Sequence, residues 1–219
     1  MTLLEIARGP AWQASVLIFI AGIAWRLAGL ALLRRQRQFA APRHGLPARM
    51  AGGARTMLTR FIPRRAFWPG IGVSVMLSAT FHVGLGLIVF GGAPHILVIH
   101  QYTGLSWPGL PKGVIVLVSG VTLASMIALL IRRITHPVLR LLSSADDYLS
   151  WLLVFLPVLT GILLSGETVA AYVHLLALHI LSFDLLLIWL PFGKLMHAGL
   201  VFAGRGLMGM KFSRKGAAT

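Results

Sequence analysis

The chain has 219 residues, of which 57% are hydrophobic and only 11% are charged, and its formal net charge is +15. Soluble domains carry about 25% charged residues, so this composition excludes an ordinary soluble domain. The absence of cysteine excludes a disulfide, a cysteine-bound iron–sulfur cluster and covalent c-type haem attachment within the chain.

Five apolar segments follow one another along the chain, each about long enough to cross a bilayer. They lie at 10–33, 68–93, 112–131, 148–165 and 171–199. We do not expect the first to be a cleaved signal peptide, because it is too long and lacks a strongly basic start and a small-residue cleavage site. The sequence therefore predicts an all-α integral membrane protein with five transmembrane helices, forming a single domain over residues 1–219.

The loops between these segments are strongly asymmetric in charge. On one side, the stretches 34–67 and 132–147 and the C-terminal tail carry Arg34, Arg35, Arg37, Arg43, Arg49, Arg55, Arg60, Arg64, Arg65, Arg132, Arg133, Arg140, Lys194, Arg205, Lys211, Arg214 and Lys215. The other side carries only Glu5, Arg8, Lys112 and Glu167. The positive-inside rule then predicts the N-terminus outside and the C-terminus inside. Because the charge follows topology, we expect no nucleic-acid partner.

The basic stretch 34–67 has two interpretations. It is either a topology signal that also contacts anionic lipid, or in addition a docking surface for a soluble partner. Pro42, Pro47, Gly52 and Gly53 favour an irregular conformation. We therefore predict no long helix in this stretch.

One histidine, His82, falls inside the second apolar segment, close to Gly84 and Gly86. Ionisable side chains at membrane depth are costly and usually face the protein interior for a functional reason. The two glycines remove side-chain bulk, which lets a porphyrin or another helix approach closely. The competing interpretation is a structural histidine that is hydrogen-bonded within the bundle.

A second histidine, His95, follows His82 by thirteen residues, about 20 Å along a straight helix with a rotational remainder of about 220°. An ideal helix would not place both rings on one face. Gly91, Gly92 and Pro94 lie between them, and such residues reorient a helical segment. We therefore keep His95 as a candidate ligand.

Two further histidines, His179 and His197, lie eighteen residues apart in the last apolar segment. At about 100° per residue, eighteen steps are five turns, so both rings would project from one face of a single helix about 27 Å apart. That separation is close to the thickness of a hydrocarbon core, roughly 30 Å. The spacing indicates one imidazole near each side of the membrane.

Topology pairs these four histidines. The second span runs from inside to outside and the fifth runs back, so His82 is expected opposite His197 on the inner side and His95 opposite His179 on the outer side. Two imidazoles on opposite faces of one iron give a six-coordinate haem that transfers electrons. A zinc site is the main rival, but zinc prefers three or four clustered ligands.

The remaining histidines are weaker candidates. His44 and His136 fall in the inner loops, where solvated or lipid-facing side chains are expected. His100 and His174 fall near the outer side, and the sequence leaves open whether His95, His100 or His174 completes the outer pair.

Three other polar residues lie in or beside the apolar segments. Arg26 either snorkels to the inner interface or contacts a propionate of the inner haem. Asp184 either makes a structural hydrogen bond to a neighbouring helix or takes part in proton movement. Lys112 opens the third span on the outer side.

These residues resemble the gamma subunit of membrane-bound respiratory nitrate reductase and its relatives. The likeness covers about 68–199 and includes Phe81–Gly84, Leu130–Arg133 with Pro137, Arg140 and Asp146, and His179 followed by Pro191–His197. It implies two noncovalent b-type haems, each with two histidine ligands. It also implies electron transfer between a quinone and a cytoplasmic iron–sulfur or catalytic subunit, in the inner membrane of the cell. Lys112 resembles a lysine near the quinol site of this family and is therefore a candidate for hydrogen bonding a quinone.

The chain departs from the nitrate reductase branch at one ligand. That branch has its second histidine ten residues after the first, where this chain has Gly92. Relatives linked to sulfite reductase and heterodisulfide reductase have a later histidine and a following Ser-Trp-Pro-x-Leu-Pro loop, and this chain has His95 with Ser106–Pro111. The resemblance is therefore closer to that second branch.

Two alternatives from other functional classes stay open. The histidines are structural if the protein is a non-redox membrane scaffold. A cation transporter that uses histidine and Asp184 is disfavoured by the lack of clustered carboxylates and of paired broken helices.

Overall fold

A computed structural model describes residues 1–33, 40–166 and 169–217. Arg34, Arg35, Arg37 and Glu167, which entered the charge comparison, lie outside the described residues. Throughout the described part of the chain the regular structure is helical, without a strand. The prediction of an all-α fold is confirmed.

Five of the helices are long and apolar enough to cross a membrane, as predicted. Counted as continuous helical stretches, with short π-helical and 3₁₀ turns included, they are Leu3–Leu32, Arg65–Gly91, Lys112–Thr135, Ala145–Leu163 and Ala171–Trp189. The protein is therefore a multi-pass membrane protein. Which end faces the cytoplasm stays a prediction from the charge of the loops.

The helices have the following bounds in chain order. They are α1 Leu3–Ile6, α2 Trp12–Leu32, α3 Leu46–Thr59, α4 Trp68–Gly91, α5 Ala93–Thr103, α6 Lys112–Thr135, α7 Pro137–Leu142, α8 Ala145–Leu163, α9 Val169–Trp189 and α10 His197–Arg214. A π-helical turn, Ala7–Ala11, joins α1 to α2 around Pro10. Proline has no N–H to donate, which explains the wider turn.

The long helices pack side by side in the order α4, α6, α8, α9 and α2. Small residues set the closest contacts, as is usual between membrane helices. A Cβ on Gly84 of α4 would lie 2.0 Å from Thr122 Oγ1 of α6. Across the described residues, α4 and α9 are not packed along each other. The space between these two helices is where the histidine pairs meet.

The last apolar segment is not one continuous helix to residue 199, and that prediction is wrong. Helix α9 ends at Trp189, a 3₁₀ turn covers Lys194–Met196, and α10 begins at His197. Pro191 explains the break, because proline donates no backbone hydrogen bond and disfavours helical backbone in the residue before it. His179 and His197 therefore lie on different helices, and the distance based on a single helix does not apply.

The second apolar segment also breaks, at the residues that the sequence marked. Helix α4 ends at Gly91, and α5 begins at Ala93 with Pro94 in its first turn. His95 is thus carried by a new helix whose direction is independent of α4. Because of this break, the rotational remainder calculated for a straight helix does not apply to His82 and His95.

The basic stretch contains a helix of fourteen residues, α3, where we predicted no long helix. It packs against α10, which lies beyond the predicted last span. A Cβ on Gly52 would lie 2.9 Å from Ser213 Cβ, and one on Gly209 would lie 2.5 Å from Gly52 O. These glycines permit a close helix contact and do not end the helix.

Candidate functional site

The structure places His95 beside His179. His95 lies in the first turn of α5, and His179 lies at the middle of α9. The centroids of their rings are 6.1 Å apart, with 30° between the ring planes. Both side chains are half-buried.

The structure also places His82 beside His197. His82 lies within α4, and His197 is the first residue of α10. Their ring centroids are 6.2 Å apart, and the planes are nearly perpendicular at 76°. These are the two pairs that topology predicts, although His197 reaches its position through a break in the chain.

The two ring separations fit a metal ion between each pair. Bonds from a metal to imidazole nitrogen are about 2.0–2.1 Å. Adding roughly 1.1 Å from each nitrogen to its ring centroid puts two rings on opposite sides of one metal about 6.3 Å apart. The observed 6.1 Å and 6.2 Å match that value.

Each pair brings two imidazoles to its candidate site. Among the described residues, no group of three or more histidine, cysteine, aspartate or glutamate side chains is placed to hold a metal ion. A zinc ion would lack the third and fourth ligands that it needs. A porphyrin brings four nitrogens of its own, so two imidazoles would be enough to complete the coordination of its iron.

Hydrogen bonds orient three of the four rings through backbone carbonyls. The Nδ1 atom lies 2.7 Å from Ser78 O in His82, 3.0 Å from Ile88 O in His95 and 2.9 Å from Lys194 O in His197. A carbonyl oxygen only accepts, so each Nδ1 must carry the proton and donate it. That tautomer leaves Nε2 with a free lone pair, the form that binds a metal.

The fourth ring, His179, reaches the same tautomer through a hydroxyl. Its Nδ1 lies 3.0 Å from Thr160 Oγ1. Thr160 Oγ1 already donates its hydrogen to Leu156 O at 2.8 Å, so it accepts the proton of Nδ1. The Nε2 atom of His179 is again free to bind a metal.

Two glycines lie directly against the rings of His95 and His179. A Cβ on Gly161 would lie 3.2 Å from His179 Cε1, and one on Gly92 would lie 3.1 Å from His95 Nδ1. The absence of a side chain at Gly92 makes room for the ring of His95.

The other histidines are placed differently. The ring of His95 lies against His179, whereas His100 and His174 are exposed. His44 is exposed and His136 half-buried. The geometry thus favours His95 among the three candidates for the His179 partner.

Arg26 does not snorkel freely. Its Nε donates to Pro191 O at 2.8 Å and its Nη2 donates to Phe192 O at 3.3 Å. A Cβ on Gly22, one turn earlier, would lie 2.5 Å from the ring of Pro191. Arg26 therefore satisfies carbonyls at the end of α9 and ties α2 to the break before His197.

Asp184 makes the structural hydrogen bond that was one of its two interpretations. It is 3% exposed, and its Oδ1 lies 3.0 Å from Ser15 Oγ on α2. Ser15 Oγ also lies 2.8 Å from Trp12 O. The Ser15 hydroxyl is therefore placed to donate to Asp184 Oδ1 or to Trp12 O. The bond links α9 to α2.

Lys112 is the exposed first residue of α6. The preceding loop folds back on the end of α4, because the N–H of Leu110 donates to Gly91 O at 2.8 Å. This contact keeps Lys112 on the same side of the bundle as His95. Trp107 Nε1 donates to Phe90 O at 2.6 Å, and Tyr102 packs against Trp12 with ring centroids 6.1 Å apart. The ring of Trp107 therefore lies beside Phe90, and the ring of Tyr102 lies beside Trp12.

Sequence reasoning missed the groups that orient the rings. Ser78, Ile88 and Lys194 act through backbone carbonyls, which no side-chain pattern reveals. Thr160 and Gly161 are adjacent within an apolar helix, and a hydroxyl next to a glycine there was the available signal.

Comparison with known proteins gives one distant relative. A protein of Nitratidesulfovibrio vulgaris (strain Hildenborough) is 29% identical over 217 residues, which cover 96% of this chain and 94% of the relative. Its description, "Protein", names no activity. No family model matches the chain, and no solved structure matches it.

Proposed function

We propose that this protein is a dihaem cytochrome b subunit of a respiratory redox complex. The supporting observation is the geometry of the two histidine pairs. Their ring centroids lie 6.2 Å and 6.1 Å apart, and the Nδ1 atom of each of the four rings is hydrogen-bonded. His82 with His197 and His95 with His179 would each hold one haem b noncovalently. A haem held between two imidazoles would exchange electrons and would leave no position open for substrate.

The positions of the two pairs support a path across the membrane. His82 lies nine residues before the end of α4, about 14 Å along the axis, and His95 lies beyond that end. The pairs therefore lie at different depths along the bundle. With the charge asymmetry setting the orientation, His82 and His197 hold the inner haem and His95 and His179 the outer one.

A reduced-minus-oxidised absorbance spectrum tests this function. Purified protein should show the sharp bands of a low-spin b-type haem on reduction with dithionite. A folded protein whose spectrum contains only aromatic bands would instead support a non-redox scaffold with structural histidines.

The quinone and the soluble partner form the second part of the proposal. A quinone would react near the outer haem, and an iron–sulfur or catalytic subunit would dock on the basic inner face of a cytoplasmic membrane. Helices α3 and α10 pack together, which joins the first basic stretch to the tail. Among the described residues, the basic side chains in ion pairs are Arg133 and Lys194, both with Asp147. The described basic side chains that are exposed and outside these ion pairs are therefore available to a partner or to lipid.

Charge reversal tests the docking surface. Replacing Arg60, Arg64 and Arg65 by glutamate should weaken co-purification of the soluble subunit, because it inverts charge on the proposed inner face, and both haems should remain. The matched control is Arg8→Glu near the N-terminus, which should leave the complex intact. Unchanged co-purification of the triple variant at moderate salt would contradict the docking surface and leave the topology signal as the interpretation of these arginines.

A further inference from the structure

The seven residues between α9 and α10 determine where His197 lies, and two polar contacts hold them from opposite sides. On one side, Arg26 of α2 donates to Pro191 O and Phe192 O. On the other side lies the start of α8, which presents Asp146. This connection is outside the helices, so its conformation depends on such contacts.

Asp146 contacts both ends of this connection. Its Oδ2 and Oδ1 accept from the backbone N–H of Lys194 at 3.1 Å and 3.4 Å. Its Oδ1 also accepts from Ser150 Oγ at 2.8 Å, and Ser150 Oγ accepts from Trp189 Nε1 at 3.0 Å. One carboxylate thereby connects the end of α9 to the turn that precedes α10.

Close approach at Gly193 shows how tightly the turn fits against α8. A Cβ there would lie 2.3 Å from Trp189 Nε1 and 3.0 Å from Asp146 Oδ1. Only glycine fits between these two groups, so the backbone lies directly on the carboxylate.

The residue that Asp146 holds is the one that orients His197. Lys194 donates its N–H to Asp146, and its carbonyl oxygen accepts from His197 Nδ1 at 2.9 Å. The side chain of Lys194 binds the same end of α8 separately, with its Nζ bonded to Ser144 Oγ and Asp147 Oδ2. The connection from Asp146 to the imidazole runs through the backbone of Lys194 and not through this side chain.

We propose that Asp146 is a positioning residue that sets the orientation of the His197 ring, through the backbone of Lys194, for the iron bound between His82 and His197. The inference rests on the proposed function. Partners of this kind fix the orientation and tautomer of a metal-bound imidazole. The ring planes at this pair are nearly perpendicular, at 76° against 30° at the other pair, so a change in the orientation of His197 would change this angle.

The angle between axial imidazole planes has its own spectroscopic signature. In low-spin ferric haem, perpendicular planes give a highly anisotropic electron paramagnetic resonance signal with one large g value. Planes closer to parallel give a rhombic signal with a smaller maximum g value. The His82–His197 site should give the former and the His95–His179 site the latter, so one spectrum reports both sites separately.

The test compares ferric spectra of the intact protein and three variants. Asp146→Ala should shift or abolish the large-g signal and leave the rhombic signal unchanged. Asp146→Asn should restore the large-g signal, because the amide oxygen still accepts from Lys194 and Ser150. Lys194→Ala should retain the wild-type spectrum, because it keeps the backbone N–H and carbonyl.

The outcomes separate this inference from the proposed function. A large-g signal unchanged in Asp146→Ala, or lost equally in Lys194→Ala, would overturn the positioning role while the haems remain. Wild-type protein without any low-spin ferric signal would overturn the proposed function itself. If Asp146→Ala does not accumulate, Asp146→Glu moves the carboxylate by one methylene and should still shift only the large-g signal. An unchanged signal in Asp146→Glu would then count against the inference.

Discussion

Replacing His197 or His82 with alanine is expected to remove one haem and leave the other. The ring centroids of these two residues lie 6.2 Å apart, and each residue would supply one ligand to the same proposed iron. His95→Ala or His179→Ala should remove the second haem for the same reason. The haem content of each variant should fall to half of the wild-type value, measured by pyridine haemochrome absorbance against protein concentration.

His100→Ala and His174→Ala are the matched controls, because both are exposed histidines near the same side as His95. They should retain the full haem content. Loss of the outer haem in either control, with retention in His95→Ala, would contradict the ligand assignment.

Replacing Lys112 with alanine is expected to slow electron transfer from quinol to haem, or the reverse reaction, without loss of haem. Lys112 opens α6 beside the loop that Leu110 attaches to Gly91, close in the chain to His95. A hydrogen bond to a charged group contributes roughly 1.5–3 kcal/mol. Losing it in the rate-limiting step would slow the reaction about tenfold to a hundredfold.

Stopped-flow haem reduction by a soluble quinol analogue measures this rate. Lys211→Ala, which removes an exposed lysine from α10, is the control and should leave the rate unchanged. A wild-type rate in Lys112→Ala would move the quinone site away from the outer haem toward the His82–His197 side.

The pairing of the histidines was predictable from the sequence because it depends on topology. Two antiparallel spans must bring the early histidine of one near the late histidine of the other, whatever the local geometry. The prediction of the pairs therefore did not depend on the single helix assumed for His179 and His197. Periodicity alone did not reveal that Pro191 breaks this helix.

Glycine was the residue type that the sequence left most ambiguous. Gly91 and Gly92 mark a real break before His95, whereas Gly52 and Gly53 lie within α3 and permit contact with α10. Glycine ends a helix at one position and allows two helices to pack closely at another, depending on the surface that faces it. That surface is known only once the chain is folded.

The hydrogen-bond partners of the polar residues likewise could not be predicted from the sequence. Arg26 binds two carbonyls that are exposed only because α9 ends early. Asp146 reaches the backbone N–H of Lys194, forty-eight residues along the chain. Such contacts follow from the fold and leave no pattern of side-chain types in the sequence.

The number of haems per chain decides whether the two pairs of histidines hold two haems. Pyridine haemochrome analysis of purified, folded protein, related to its concentration by amino-acid analysis, measures this number. Two haem b groups per chain are expected, extractable by acid acetone because no cysteine attaches them. A value near zero in folded protein would show that the histidine pairs hold no haem.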